Sequence, residues 1–172
     1  ENDVLFSSFS LQLHNVGLGA AKEIKLKWSF PIEEIIKTIN DKAQKTLVPA
    51  YFEYESGVLA LKSEQLDAST SMWGNQKNAT VDYVLPASID QGGVAIQVPH
   101  AYMELVSALV FFSAKEKGKK SFSDMPELAL QLEYFDIGGD KHTSLFNVEL
   151  NLSVIHGDGE GFDGYMQSKK IA

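Results

Sequence analysis

Three groupings in this 172-residue chain have residue types and spacings with chemical potential. Asp136 and Asp140 flank a glycine pair, with His142 two residues further on. A carboxylate and an imidazole so close could serve a hydrolase or orient a ligand, whereas aspartates beside glycines more often make turns, because a short acidic side chain bonds back to its own backbone. Asp158, Glu160 and Asp163 are separated by glycine or a single aromatic. Three carboxylates on such a loop suit a hard cation such as calcium, but the other acidic positions and the distal Glu of an EF-hand loop are missing. No metal site is assigned, and these three acids are its one candidate. Gly17-Leu18-Gly19 opens like a dinucleotide fingerprint. The third glycine position holds Lys22, and the residues after it alternate like a strand where a phosphate would need a helix N-terminus.

The other reactive inventories are empty of pattern. His14, His100, His142 and His156 show no paired metal spacing, and Gly-x-Ser-x-Gly and Ser-x-x-Lys are absent, so neither a catalytic residue nor a cofactor is assigned. With no Cys, thiolate ligands, cysteine nucleophiles and disulfides drop out together. All 15 basic residues are Lys, against 23 Asp and Glu, for a net charge of −8. An acidic chain without the guanidinium fork is poorly suited to nucleic acid, which is excluded as a partner. The apolar share of 44 % is ample for a core.

Elements that could position these groups show mainly period-two alternation. The runs are Phe9–Leu13, Ile24–Phe30, Tyr51–Ser56, Val58–Lys62, Val81–Leu85, Val94–Val98, Leu128–Tyr134 and Phe146–Val154. About eight strands with one apolar face each predict a mainly β fold, an antiparallel sandwich of immunoglobulin-like type. The Asn15–Ala20 turn predicts a hairpin or a tight corner between sheets, and 136–140 a hairpin loop. Two helices interrupt the strands. Residues 31–46 place Ile32, Ile35, Ile36, Ile39 and Ala43 at helical spacing, with Glu33 and Glu34 near the positive end and Lys42 and Lys45 near the negative one. Residues 100–113 are apolar on one face and bland on the other, so that either both faces are covered or one receives a partner. No segment reaches the roughly 20 apolar residues of a membrane helix, and the acidic N-terminus does not read as a signal peptide. Domain organisation is expected to be one sandwich over 1–156 and a flexible Gly/Asp-rich tail over 157–172.

Leu11–Leu26, with Asn15-x-Gly17-x-Gly19-x-Ala21 between two alternating strands, resembles the opening of bacterial immunoglobulin-like domains of the cell-adhesion-related type, over about residues 4–30. Similar segments occur in bacterial proteins whose soluble β-domain follows membrane helices. The resemblance implies a sandwich in a bacterial membrane-associated or cell-envelope setting, any membrane contact coming through segments outside this chain. It implies no catalytic residues.

The expected function is a non-enzymatic interaction module that binds a protein partner or itself. Its candidate surface is the second helix with its basic exit, namely Tyr102, Phe111, Lys115, Lys117, Lys119 and Lys120. The alternative is a sensor domain for a small ligand or carbohydrate, using Trp73, Tyr83 or Tyr102 for stacking and Asp136, Asp140 and His142 for polar contacts, and behind it stands an enzyme with a dispersed acidic site, which no local motif supports.

Overall fold

The computed structural model describes residues 9–63, 69–116, 125–157 and 161–172. In chain order its elements are β1 (Ser10–Leu13), β2 (Ala21–Ser29), α1 (Ile32–Thr46), β3 (Ala50–Glu55), β4 (Val58–Ser63), β5 (Ser69–Met72), α2 (Trp73–Gln76), β6 (Asn78–Val84), β7 (Val94–Gln97), α3 (His100–Lys115), β8 (Leu128–Phe135), β9 (Lys141–His156) and β10 (Gly161–Lys170). The protein is mainly β, and its strands curl into a half-barrel. A five-stranded sheet runs β10-β9-β8-β2-β6, a meander β3-β4-β5 forms a second sheet, and β1 and β7 form a ribbon. Every neighbouring pair is antiparallel.

All eight alternating runs are strands, and β5 and β10 add to them. The Asn15–Ala20 turn makes the corner rather than the hairpin: β1 pairs with β7, while β2 enters the five-stranded sheet between β6 and β8. Residues 157–172, expected as a flexible tail, instead supply β10, an edge strand paired with β9 over ten residues. The strand escapes sequence alternation because the ladder shifts between Asp163 and Gly164, where β9 carries Ser153 as an unpaired extra residue. A Cβ on Gly164 would lie 2.6 Å from the Asn151 carbonyl oxygen, which explains glycine at that crossing. The same bulge turns Val154 outward, 48 % exposed, and lets Ile155 pack on the core.

α1 forms as expected. Its buried stripe is Ile32, Ile35, Ile36, Ile39 and Ala43, and Leu47 ends it in the left-handed conformation at φ 56° with its N–H on the last turn. α3 is the centre of the core, with Ala101–Val106, Leu109, Val110, Phe112 and Ser113 all buried. Both faces are covered: α1 packs on one side and Glu104 accepts hydrogen bonds from Ser69 and Ser71 of β5 on another. A Lys42–Glu116 ion pair at 2.8 Å joins the C-terminal half of α1 to the end of α3. Phe30 meets Trp73 and Tyr102 edge to face, at 4.6 and 5.4 Å between centroids. Among the described residues, no helix is long and apolar enough to cross a membrane.

Two substitutions check this packing. Leu47 is 89 % exposed, so Leu47→Gly removes the left-handed penalty with little burial lost. It should raise stability by about 0.5–1 kcal/mol, or roughly 1–4 °C in Tm by calorimetry. Tyr102 donates to the Pro126 carbonyl at 2.7 Å, and burial pushes its phenol well above the ordinary range. Tyr102→Phe should cost about 1–2 kcal/mol in chemical denaturation, because it leaves that carbonyl unpaired.

Candidate functional site

Leu26 and Trp28 of β2 face the core by simple alternation, and so does Ile24. Continued one step, that alternation would put Lys22 inside. It does not, because β2 holds one residue more than β8 between its pairs Lys22–Phe135 and Lys25–Glu133. The extra residue is Glu23, at φ 50°. This bulge turns Lys22 to solvent and gives Ala21 and Ile24 to the same wall. On β8 and β9 the cross-strand pairs Leu132–Ser144 and Tyr134–His142 continue that wall, and Lys170 of β10 stands opposite Phe146. With Val84 of β6 and Leu13 of β1, these residues bound a cleft of about 710 Å³, roofed by the Asn15–Ala20 corner and the 136–140 turn.

The corner is held by one side chain. Asn15 Nδ2 donates to the carbonyls of Gly19 at 2.7 Å and Val84 at 3.1 Å, and its Oδ1 accepts from the Gly17 N–H at 2.9 Å. The Asn15 carbonyl in turn accepts from the Ala87 N–H at 2.7 Å. Gly19 sits so near Ile137 that a Cβ there would come within 3.0 Å of its side chain, which closes the corner onto the hairpin turn. Val16, Leu18 and Ile137 are 92 %, 101 % and 66 % exposed, an apolar rim. No helix follows Gly19, so the corner has no helix N-terminus for a phosphate.

The grouping Asp136, Asp140 and His142 sits on this rim. His142 Nε2 donates to Asp136 Oδ2 at 2.9 Å, and the Asp140 N–H donates to Asp136 Oδ1 at 3.0 Å. The Gly139 N–H closes the turn on the Asp136 carbonyl at 3.1 Å, with Gly139 at φ 90°. The hydrogen bond from His142 holds the Asp136 carboxyl below its ordinary value, helped by the backbone N–H groups of Asp140 and Gly138. The Tyr134 ring stacks on His142 at 5.2 Å. Both oxygens of Asp136 are therefore hydrogen-bonded, one to the turn and one to His142 of β9. The aspartate organises the loop, and His142 presents an imidazole to the cleft.

The other sequence candidates lie elsewhere. Trp73 is 7 % exposed and Tyr102 0 %, so neither can stack a sugar or meet a partner; both are core aromatics. Tyr83 is 60 % exposed on β6. Phe111 is half-buried against Phe112, with the Lys115 ammonium 4.8 Å over its ring. Lys117, Lys119 and Lys120 lie outside the described residues, as do Asp158 and Glu160. Asp163 pairs with His156 at 3.0 Å. No cluster of three metal-ligating side chains occurs among the described residues. Ser144, Phe146 and Lys170 line the cleft without having been singled out, since nothing local marks a residue whose partner strand is distant. No protein-family model, characterised protein or solved structure matches the chain.

Because the carboxyl of Asp136 is depressed in the fold, its contribution to stability is complete above the ordinary carboxylate value near pH 4 and is lost as pH falls from there through the depressed value. Asp136→Asn should flatten that acid limb in denaturation followed between pH 6 and 2. An unchanged limb would remove the Asp136 carboxylate as the loop's organiser.

Proposed function

We propose that this chain is a non-enzymatic binding module whose small-ligand site is the cleft between the Asn15–Ala20 corner and the 136–140 turn. The observation that supports this reading is the cleft: its volume of about 710 Å³ falls in the range of small-molecule sites. Its floor is apolar, made by Leu13, Ile24, Val84, Leu132 and Phe146, while Ser144, His142 and Lys170 supply a few polar atoms at defined places. That mixture suits a ligand held by burial and oriented by a small number of hydrogen bonds. Binding is favoured over catalysis because Asp136 is engaged at both oxygens, by its own turn and by His142. For the architecture we propose an immunoglobulin-like relationship, supported by antiparallel pairing throughout and by a corner that hands the chain from one sheet to another. The setting in a larger bacterial membrane- or envelope-associated protein rests on the resemblance of residues 4–30 alone.

A thermal-shift screen of apolar small molecules tests the reading, run on the natural chain and on Ala21→Phe, which fills the cleft from its half-buried wall. A ligand at a hundred times its Kd should stabilise the natural chain by about 2.7 kcal/mol and leave Ala21→Phe unmoved, with circular dichroism confirming that the variant folds. Equal shifts in both proteins, or silence across the screen and in amide NMR shifts of residues 13–24 and 132–146, would overturn it.

A further inference from the structure

We infer that the ligand of this cleft is an apolar monocarboxylate of medium chain length, its hydrocarbon on the Leu132–Phe146 floor and its carboxylate at Lys170; the inference rests on the cleft being a binding site, as proposed above. The charges at the cleft are unequal in availability. Asp136, the one carboxylate that lines the cleft, already accepts hydrogen bonds at both oxygens, from His142 and from the Asp140 N–H. Lys170 lines the cleft and makes no ion pair among the described residues. Its position is fixed by backbone. It stands opposite Phe146 in the ladder, and just beyond it Ile171 N–H donates to the Leu145 carbonyl at 2.8 Å while Leu145 N–H donates to the Ala172 carbonyl at 2.7 Å. An ammonium thus stands at one edge of an apolar floor, with the buried Ser144 two residues along β9 from Phe146.

This arrangement selects by charge and by shape. A cation would face Lys170, and the only carboxylate lining the cleft, Asp136, already accepts a hydrogen bond at each oxygen. A phosphate or other multiply charged anion would need more than one donor and would approach a protein whose net charge is −8. A single carboxylate on an apolar body asks for one cation and an apolar floor, and both are present. A sugar would leave most of its hydroxyls against Ile24, Val84 and Leu132 without partners.

Calorimetric titration with decanoate and with decanol separates the claims, using the natural chain, Lys170→Gln, Lys169→Gln on the opposite face of the same strand, and Ala21→Phe. Decanoate should bind the natural chain about tenfold tighter than decanol, Lys170→Gln should erase that preference, Lys169→Gln should keep it, and Ala21→Phe should weaken both ligands. Equal binding of acid and alcohol would overturn the carboxylate while leaving the cleft as a binding site. A preference that survives Lys170→Gln would overturn the assignment of the carboxylate position, and decanoate binding untouched by Ala21→Phe would place the ligand outside the cleft and overturn the inference together with the cleft reading. Binding of neither ligand would overturn the inference together with the reading beneath it.

Discussion

The constraint on which the structure turns is a mismatch of lengths. β9 has 16 residues and α3 also has 16, but an extended strand advances about 3.3 Å per residue and a helix about 1.5 Å. β9 therefore runs on the order of 50 Å, and the central helix can span at most about 24 Å of that length. Water cannot be left against the remainder at no cost, since burying apolar area is the main favourable term in folding a domain of this size. Leu13 of β1 and the corner after it stand over Ile24, Val84, Leu132 and Phe146 of the sheet. They cover these residues incompletely, and the cleft is what stays open.

Two bulges adapt the sheet to that arrangement. Glu23 and Ser153 each add one residue to a strand, one at each end of the apolar face, and each reassigns which side chains look inward. They also mark where reading the sequence by period two stops working. α1 was legible nearly to the residue because its isoleucine stripe and terminal charges agree with each other. The eight alternating strands were legible for the same reason. β5 was not, because Ser69-Thr70-Ser71 carries no apolar alternation and is held instead by the carboxylate of Glu104, far away in sequence. β10 was not, because glycine and the ladder shift hide its inward set of Phe162 and Met166.

The site was legible in pieces. The glycine corner and the aspartate-histidine turn each stood out, and each taken alone is a turn. Their chemistry comes from adjacency, which is created by β2 pairing with β8 across more than a hundred residues of sequence and by Gly19 lying against Ile137. The aromatic candidates failed for the opposite reason. Trp73 and Tyr102 look equally fit for a sugar platform or for a core until Phe30 is seen to meet both. Side-chain chemistry states what a residue can do; the register of strands decides where it is allowed to do it.

The Glu23 bulge carries a consequence of this kind. Upstream of it the chain is out of phase with the rest of β2, so the parity of a residue count decides which of Ala21 and Lys22 faces the hydrocarbon floor. Deleting Glu23 would change no group that touches the cleft directly, yet it would bring an ammonium into the wall and send a methyl group to solvent. The electrostatic character of the cavity is in that sense a property of backbone arithmetic, open to alteration by the loss or gain of a single codon as well as by substitution of any lining residue.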